Sequence, residues 1–306
     1  MTWDRRHLID VDQFDSADVE AVLETARGYR RAIAEGDGWL DLLRGQSVAL
    51  FFSEASTRTR LSFELAARRL GAQTMMLDQS SSSVSKGESF VDTVRNLDAI
   101  GFDWLVLRHH RAGAAAAAAR HFEGSVLNGG DGWQGHPTQA LLDLLTMEDA
   151  LKRVRGRKVV IVGDVRHSRV ARSNAFTLCL GGADVWFCAP PAWLRGVGSL
   201  PVHRTSDLSE ALAGADVVMA LRVQRERMAA GALSLGAYVD GYQITEERLA
   251  RLAPDARFMH PGPINEGVEV TRDVALGPRS LVMDQVRNGV PVRMAVMTLI
   301  AGAAPR

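Results

Sequence analysis

The chain has 306 residues, 46% of them hydrophobic, with 36 Lys plus Arg against 36 Asp plus Glu. A neutral chain of this length fits one large domain or two ordinary ones, and argues against nucleic acid or an anionic membrane as the main partner, so any strongly basic site has to be local. No run approaches the ~20 apolar residues of a membrane span, the opening MTWDRRHLID lacks the apolar core of a signal peptide, and Cys179 and Cys188 show no metal or redox spacing; these features predict a cytoplasmic protein with buried free thiols.

Taken in order, SVALFF (47–52) reads as a strand, 57–70 as a helix and 74–78 as a strand. A helix follows with Phe90, Val91, Val94, Leu97 and Ile100 on one face, then strand 104–109, an Ala-rich helix, and strand 125–130. HPTQALLDLLTMEDA (136–150) predicts a connecting helix with Pro137 in its first turn. The alternation resumes with strand 158–165, helix 168–180, strand 183–190, a short helix near 207–213, and strands 215–222 and 256–263. The closing 290–303 reads as an amphipathic helix that has to pack somewhere. Near-continuous apolar strands alternating with amphipathic helices predict an α/β protein of two domains, each a parallel sheet flanked by helices.

The polar clusters fall where such strands end, which is where parallel sheets bind ligands. Ser56, Thr57, Arg58 and Thr59 stand between a strand and a helix, so backbone N–H groups, the positive helix end, hydroxyls and a guanidinium suit a phosphate dianion; capping alone needs one hydroxyl. SSSVSKGES (81–89) carries Lys86, one of only three lysines, and reads either as a surface loop or as a lid closing on an anion. Arg108 ends a strand and points to the crevice or snorkels at the sheet margin, and His136 and Gln139 share a helical face beside the Gly-rich 129–135. GDVRHSRVARSN (163–174) lacks the GxGxxG of a dinucleotide site, and one of Arg166, Arg169 and Arg172 is expected to face the crevice. Arg222 and Gln224 follow another strand, with Asp164 and Glu226 placed to orient these guanidiniums by ion pairing. HPGP (260–263) predicts a rigid turn with exposed carbonyls. No metal-ligand spacing and no nucleophilic triad is evident, so neither metal nor cofactor is expected.

STRTR, the Ser-rich loop ending in KGES, the strand-end Arg, HPTQALLD, GD–HSRVARSN, RVQRER and HPGP resemble, in order, the motifs of aspartate carbamoyltransferase catalytic chains over about 47–300. The resemblance implies the transcarbamylase fold: a carbamoyl-phosphate-binding domain at 1–135 with the closing helix 290–306 packing back on it, an interdomain helix at 136–150, and an aspartate-binding domain at 151–289. It implies transfer of a carbamoyl group from carbamoyl phosphate to L-aspartate, for pyrimidine synthesis. Ser56 to Thr59 then form the phosphate cradle, with Thr59, Arg108 and His136 near the carbamoyl oxygen and Gln139 beside them. Arg169, Arg222 and Gln224 bind aspartate, Pro261 and Gly262 contact substrates through backbone, and Ser82 and Lys86 are donated by a neighbour in a homotrimer. A dihydroorotase or a regulatory chain is a further candidate partner. Two departures stand out: Glu266 where many relatives carry Arg, and His110 where many have Pro. The rivals are an ornithine or related carbamoyltransferase, disfavoured because HPGP stands in place of HCLP and Arg222 would repel a cationic substrate, and a non-catalytic assembly subunit of the same fold.

Overall fold

The computed structural model describes residues 3–77, 88–197, 199–223 and 234–303. They divide into two units, Met1–Leu142 with Val286–Arg306, and Asp143–Gln285.

In the first unit, β1 (Ser47–Phe52), β2 (Gln73–Leu77), β3 (Trp104–His109) and β4 (Ser125–Asp131) form a sheet in the order β2-β1-β3-β4, every pair parallel. The strands β1, β3 and β4 are buried along nearly their whole length, the pattern of a sheet covered on both faces. The helices α1 (Ser16–Glu35), α2 (Thr57–Arg69), α3 (Phe90–Ile100) and α4 (Ala114–Ala119) belong to this unit. The all-alanine α4 packs Ala114, Ala115 and Ala118 into one core with Phe51, Leu105, Leu107 and Val126. Its methyl side chains let the helix approach the sheet closely. The segment around Leu8 lies along β4, giving its N–H to Val126 and accepting that of Asn128.

Past α5 (Pro137–Leu151), the second unit orders β5 (Lys158–Val162), β6 (Asp184–Cys188), β7 (His203–Thr205), β8 (Val217–Ala220) and β9 (Arg257–Met259) as β7-β6-β5-β8-β9, again all parallel. Its helices are α6 (Arg169–Leu180), α7 (Pro191–Leu194), α8 (Leu208–Leu212), α9 (Leu235–Tyr242), α10 (Glu246–Leu252) and α11 (Arg272–Leu276), and α12 (Val282–Ala303) follows.

The strands are shorter than the apolar runs in the second unit: β8 covers Val217–Ala220 of the expected 215–222, and β9 Arg257–Met259 of 256–263. The closing helix starts at Val282 rather than 290 and runs through Pro291. Asn288-Gly289 and the proline look like a helix start, yet burial of Val292, Met294, Ala295, Val296 and Met297 outweighs the hydrogen bond that proline removes. Both cysteines are free thiols; Cys188 is buried as expected, whereas Cys179 is only half-buried. Among the described residues no helix is long and apolar enough to cross a membrane.

Candidate active site

In an open parallel sheet, ligands bind outside the carboxyl ends of the strands, where the winding of the chain reverses. In the first unit that point lies between β1 and β3, whose register sets Phe52 beside Arg108. The Ser53 N–H donates to the Arg108 carbonyl at 2.9 Å, so the end of β3 is fixed against the start of the Ser56–Thr59 turn. Ser56 occupies the N-cap position of α2 in extended backbone, but its side chain makes no capping bond. The hydroxyl that a capping role would consume is left to a ligand, together with the first N–H groups of the helix. Thr57 and Arg58 are exposed on that first turn and Thr59 is buried. Partial desolvation lowers the Arg58 pKa from its usual value, and the guanidinium remains a cation.

Arg108 is held from two sides. Its Nη1 donates to the Gly129 carbonyl at 3.1 Å, and its Nε lies 3.6 Å from a Glu54 carboxylate oxygen. Glu54, which sequence reasoning passed over, counters a cation at the mouth of the cradle; its only signal was its place two residues before the Ser–Thr–Arg–Thr run. Next to Arg108, the buried His109 imidazole is pushed down to about 4 by desolvation, then by His110 and Arg111, with Glu54 opposing. It accepts the Arg111 N–H and is neutral near pH 7.

His136 is buried at the start of α5, with its carbonyl taking the N–H groups of Gln139 and Ala140. Its approach is set by Asp131, which sequence reasoning also missed. Asp131 is buried and accepts from Gly113 N–H at 2.8 Å, Asn128 Nδ2 at 2.9 Å and Gly135 N–H at 3.2 Å. One carboxylate thereby satisfies three donors, tying the start of α4 and Asn128 of β4 to Gly135 just before His136.

In the second unit the winding reverses between β5 and β8, and Arg169 and Arg222 each follow one of these neighbouring strands. Gly163, at φ 126°, lets the two strand ends meet: a Cβ there would stand 3.1 Å from the Leu221 carbonyl and 3.2 Å from the Tyr238 hydroxyl. Ser168 caps α6, so Arg169 opens that helix. Its neighbours are engaged elsewhere: Arg166 is exposed and reaches the Ala192 carbonyl, and Arg172 lies over the Phe176 ring. Asp164 does not orient these arginines as the spacing suggested. Among the described residues it holds His167 instead, with Nδ1 at 3.0 and 3.1 Å from its two oxygens.

Beyond Arg222, the Val223 N–H donates to Glu269 Oε1 at 2.7 Å, and Asn265 supplies Glu269 with a backbone and a side-chain donor at 2.8 and 2.7 Å. Burial pushes the Glu269 pKa up, against the pull of these three bonds. This acid ties the segment after Arg222 to Asn265, three residues past Gly262, and its one signal in the sequence was a carboxylate inside the apolar VEV. In that turn His260 Nδ1 accepts the Gly262 N–H at 2.8 Å. Glu266 faces Arg272 at 3.5 Å, an exposed pair that cancels the inverted charge locally. Ser82, Lys86, Gln224 and Glu226 lie outside the described residues. No group of His, Cys, Asp and Glu among the described residues could hold a metal ion.

Residues 6–149 match the family described as aspartate/ornithine carbamoyltransferase, carbamoyl-P binding domain, and residues 155–300 match its Asp/Orn binding domain. The chain belongs to the aspartate/ornithine carbamoyltransferase family. One carbamoyltransferase relative, the aspartate carbamoyltransferase catalytic subunit of Roseiflexus sp. (strain RS-1), is 48% identical over 306 residues, covering 97% of this chain and 96% of its own. The aspartate transcarbamoylase of Trypanosoma cruzi, solved with carbamoyl aspartate and phosphate, is 32% identical with a TM-score of 0.83, covering 95% of this chain and 94% of its own. The ornithine carbamoyltransferase of Pyrococcus furiosus is 28% identical with a TM-score of 0.89, over 100% of both chains. Backbone similarity alone does not separate aspartate from ornithine enzymes in this carbamoyltransferase family; side chains have to.

Proposed function

We propose that the protein transfers the carbamoyl group of carbamoyl phosphate to the amine of L-aspartate, giving N-carbamoyl-L-aspartate and phosphate, a step of pyrimidine biosynthesis. The observation that carries the substrate choice is the pair of guanidiniums, Arg169 and Arg222, following the two strands that flank the second switch point. Two cations suit a substrate with two carboxylates and repel the ammonium of ornithine. The 48% identity to an aspartate carbamoyltransferase catalytic subunit supports the same reading.

In this reading Ser56, Thr57, Arg58 and Thr59 hold the phosphate of carbamoyl phosphate, and Thr59, Arg108 and His136 surround its carbonyl oxygen, with Gln139 beside them. Arg169, Arg222 and Gln224 hold aspartate, and Pro261 and Gly262 offer backbone groups to both substrates. The neutral amine attacks the carbonyl carbon and a C–N bond forms. The C–O bond to phosphate then breaks, phosphate keeps the electron pair, and the departing phosphate takes up the proton that the amine gives up. Negative charge grows first on the carbonyl oxygen and then on the departing phosphate. Preorganised donors at those two places lower the barrier, and alignment of the two substrates supplies much of the rest. No covalent intermediate on the enzyme is required.

The proposal includes a cytoplasmic homotrimer in which Ser82 and Lys86 complete a neighbour's site. Exposed apolar side chains on α2 and the edge strand β2 (Leu61 and Leu65, Met75 and Met76) support association through this unit. A dihydroorotase or regulatory chain on that trimer is to be sought by co-purification. The deciding experiment gives purified protein carbamoyl phosphate with L-aspartate or L-ornithine, and follows phosphate and the carbamoylated product. Turnover with ornithine equal to or faster than with aspartate overturns the substrate assignment. Inactive Lys86→Gln and His136→Ala chains, dissociated and reassembled together, should regain activity; none returning after proven exchange removes the shared site.

A further inference from the structure

A carboxylate outside every proposed substrate contact lies buried in the second unit. Asp143, on α5, is 0% exposed. Asn174 Nδ2, on α6, donates to its Oδ2 at 2.8 Å, and Gln285 Nε2, on α12, donates to its Oδ1 at 2.7 Å. The Gln285 amide is turned so that its oxygen accepts the His260 backbone N–H at 3.0 Å. The same Asn174 Nδ2 contacts the Val170 carbonyl at 3.1 Å, next to Arg169. One line of hydrogen bonds therefore runs from the Arg169 helix, through Asp143, to the residue before Pro261-Gly262.

The polarity of this line is fixed. A carboxylate accepts on both oxygens, whereas a carboxamide accepts on one side and donates on the other. With an amide at position 143, its N–H₂ group would oppose that of Gln285 or, turned over, that of Asn174. Turning Gln285 over would only move the conflict to the His260 N–H, leaving a buried donor unmet. Shape would be conserved, and one bond of the line would set donor against donor.

We propose that Asp143 is a positioning residue that holds the Arg169 helix and the Pro261-Gly262 turn in register, through Asn174 on one side and Gln285 on the other. The proposal rests on the reading of Arg169 and the turn as substrate contacts. It acts through those groups and touches no substrate itself.

Asp143→Asn, Gln285→Glu and the double variant test it. Asp143→Asn should lower kcat/KM for aspartate by about 10- to 100-fold, while KM for carbamoyl phosphate moves by less than about 3-fold. Gln285→Glu alone sets two carboxylates together and should be impaired as well. In the double variant the amide introduced at position 143 donates to the carboxylate introduced at position 285, which reverses that one bond and leaves every donor of the line met. That carboxylate still accepts the His260 N–H, and activity should recover by about 10-fold or more over either single. Hydrogen exchange at the His260 amide should quicken in Asp143→Asn and return to wild-type protection in the double variant. If Asp143→Asn does not fold, the double variant should. Full activity in Asp143→Asn, unchanged His260 exchange, or a double variant no better than the singles overturns the proposal. A wild type inactive on aspartate would overturn the substrate reading instead, with the exchange of His260 still deciding the relay.

Discussion

The two switch points place cations beside strand ends with different resources. At β1/β3 four consecutive residues, Ser56 to Thr59, supply the phosphate donors as a unit at a helix start, with Arg108, His136 and Gln139 coming from other segments. At β5/β8 the groups come from three separated segments, around Arg169, Arg222 and Pro261, and polar side chains connect them: the buried Glu269 with Asn265, and the buried Asp143 with Asn174 and Gln285. The contiguous cradle itself needs little beyond local chain geometry, although Arg108 and the approach to His136 lean on Glu54 and Asp131. A dispersed one depends on acids that never meet the ligand.

The comparison breaks most visibly at Arg58. Arg58→Ala removes a charge-assisted contact that strengthens as phosphate departs, so kcat should fall by about 10²-fold or more with the fold intact. Steady-state kinetics with both substrates varied reads this directly, and an unchanged kcat would take the phosphate out of the first switch point. Arg222→Ala should act in the other half: KM for aspartate up by about 10-fold or more, KM for carbamoyl phosphate within about 3-fold. Unchanged aspartate kinetics would end the division of substrates between the units.

A third test separates the halves by pH. The His109 pKa is lowered from 6.5 to about 4, so its contribution to stability is full above 6.5 and is lost as pH falls toward 4. The Glu269 pKa is raised above 4.5, so its contribution is complete below that value and is lost as pH rises through the raised one. Acidification from neutral should loosen β3 and tighten the segment around 265–270. Hydrogen exchange of those peptides at two pH values, corrected for intrinsic rates, measures both; the same sign in both would refute the argument. His109→Gln should abolish the first trend and Glu269→Gln the second. The smallest effect is expected at Glu266, whose pair with Arg272 is half-exposed or more on both sides. Glu266→Ala should change unfolding free energy by less than about 0.5 kcal/mol and leave the kinetics within about 2-fold.

What could be read in advance follows the same division. The strands of both units were legible because a sheet covered on both faces demands unbroken apolar runs. β7 was not, since His203–Thr205 is three polar residues added at an edge. α1 escaped notice although Asp15 and Asp18 form a capping box before it and Gly36 closes it at φ 92°. The strand-end clusters stood out as concentrations of donors. Glu54, Asp131, Asp143 and Glu269 did not, because a single acid gains its meaning from partners that include distant ones, such as Gly113, 18 positions from Asp131, and Gln285, 142 positions from Asp143. Asp164 shows the reverse error: nearness in sequence to arginines suggested pairs that His167 takes.

The pairing of β3 with β4 slips between Leu107–Asn128 and His109–Asp131, so Gly129 and Gly130 together face the single residue Arg108. The count of residues in that stretch is therefore a structural quantity. Gly130, at φ 115°, turns where a side chain would be strained, and Gly129 gives its carbonyl to Arg108. Deleting one of the pair would restore an even ladder, slide Asp131 out of reach of Gly113 and Gly135, and turn the approach to His136. An insertion or deletion in the two-glycine stretch is therefore expected to disturb the site more than a substitution at an exposed position such as Trp133. Here length, rather than residue type alone, is what selection has to preserve.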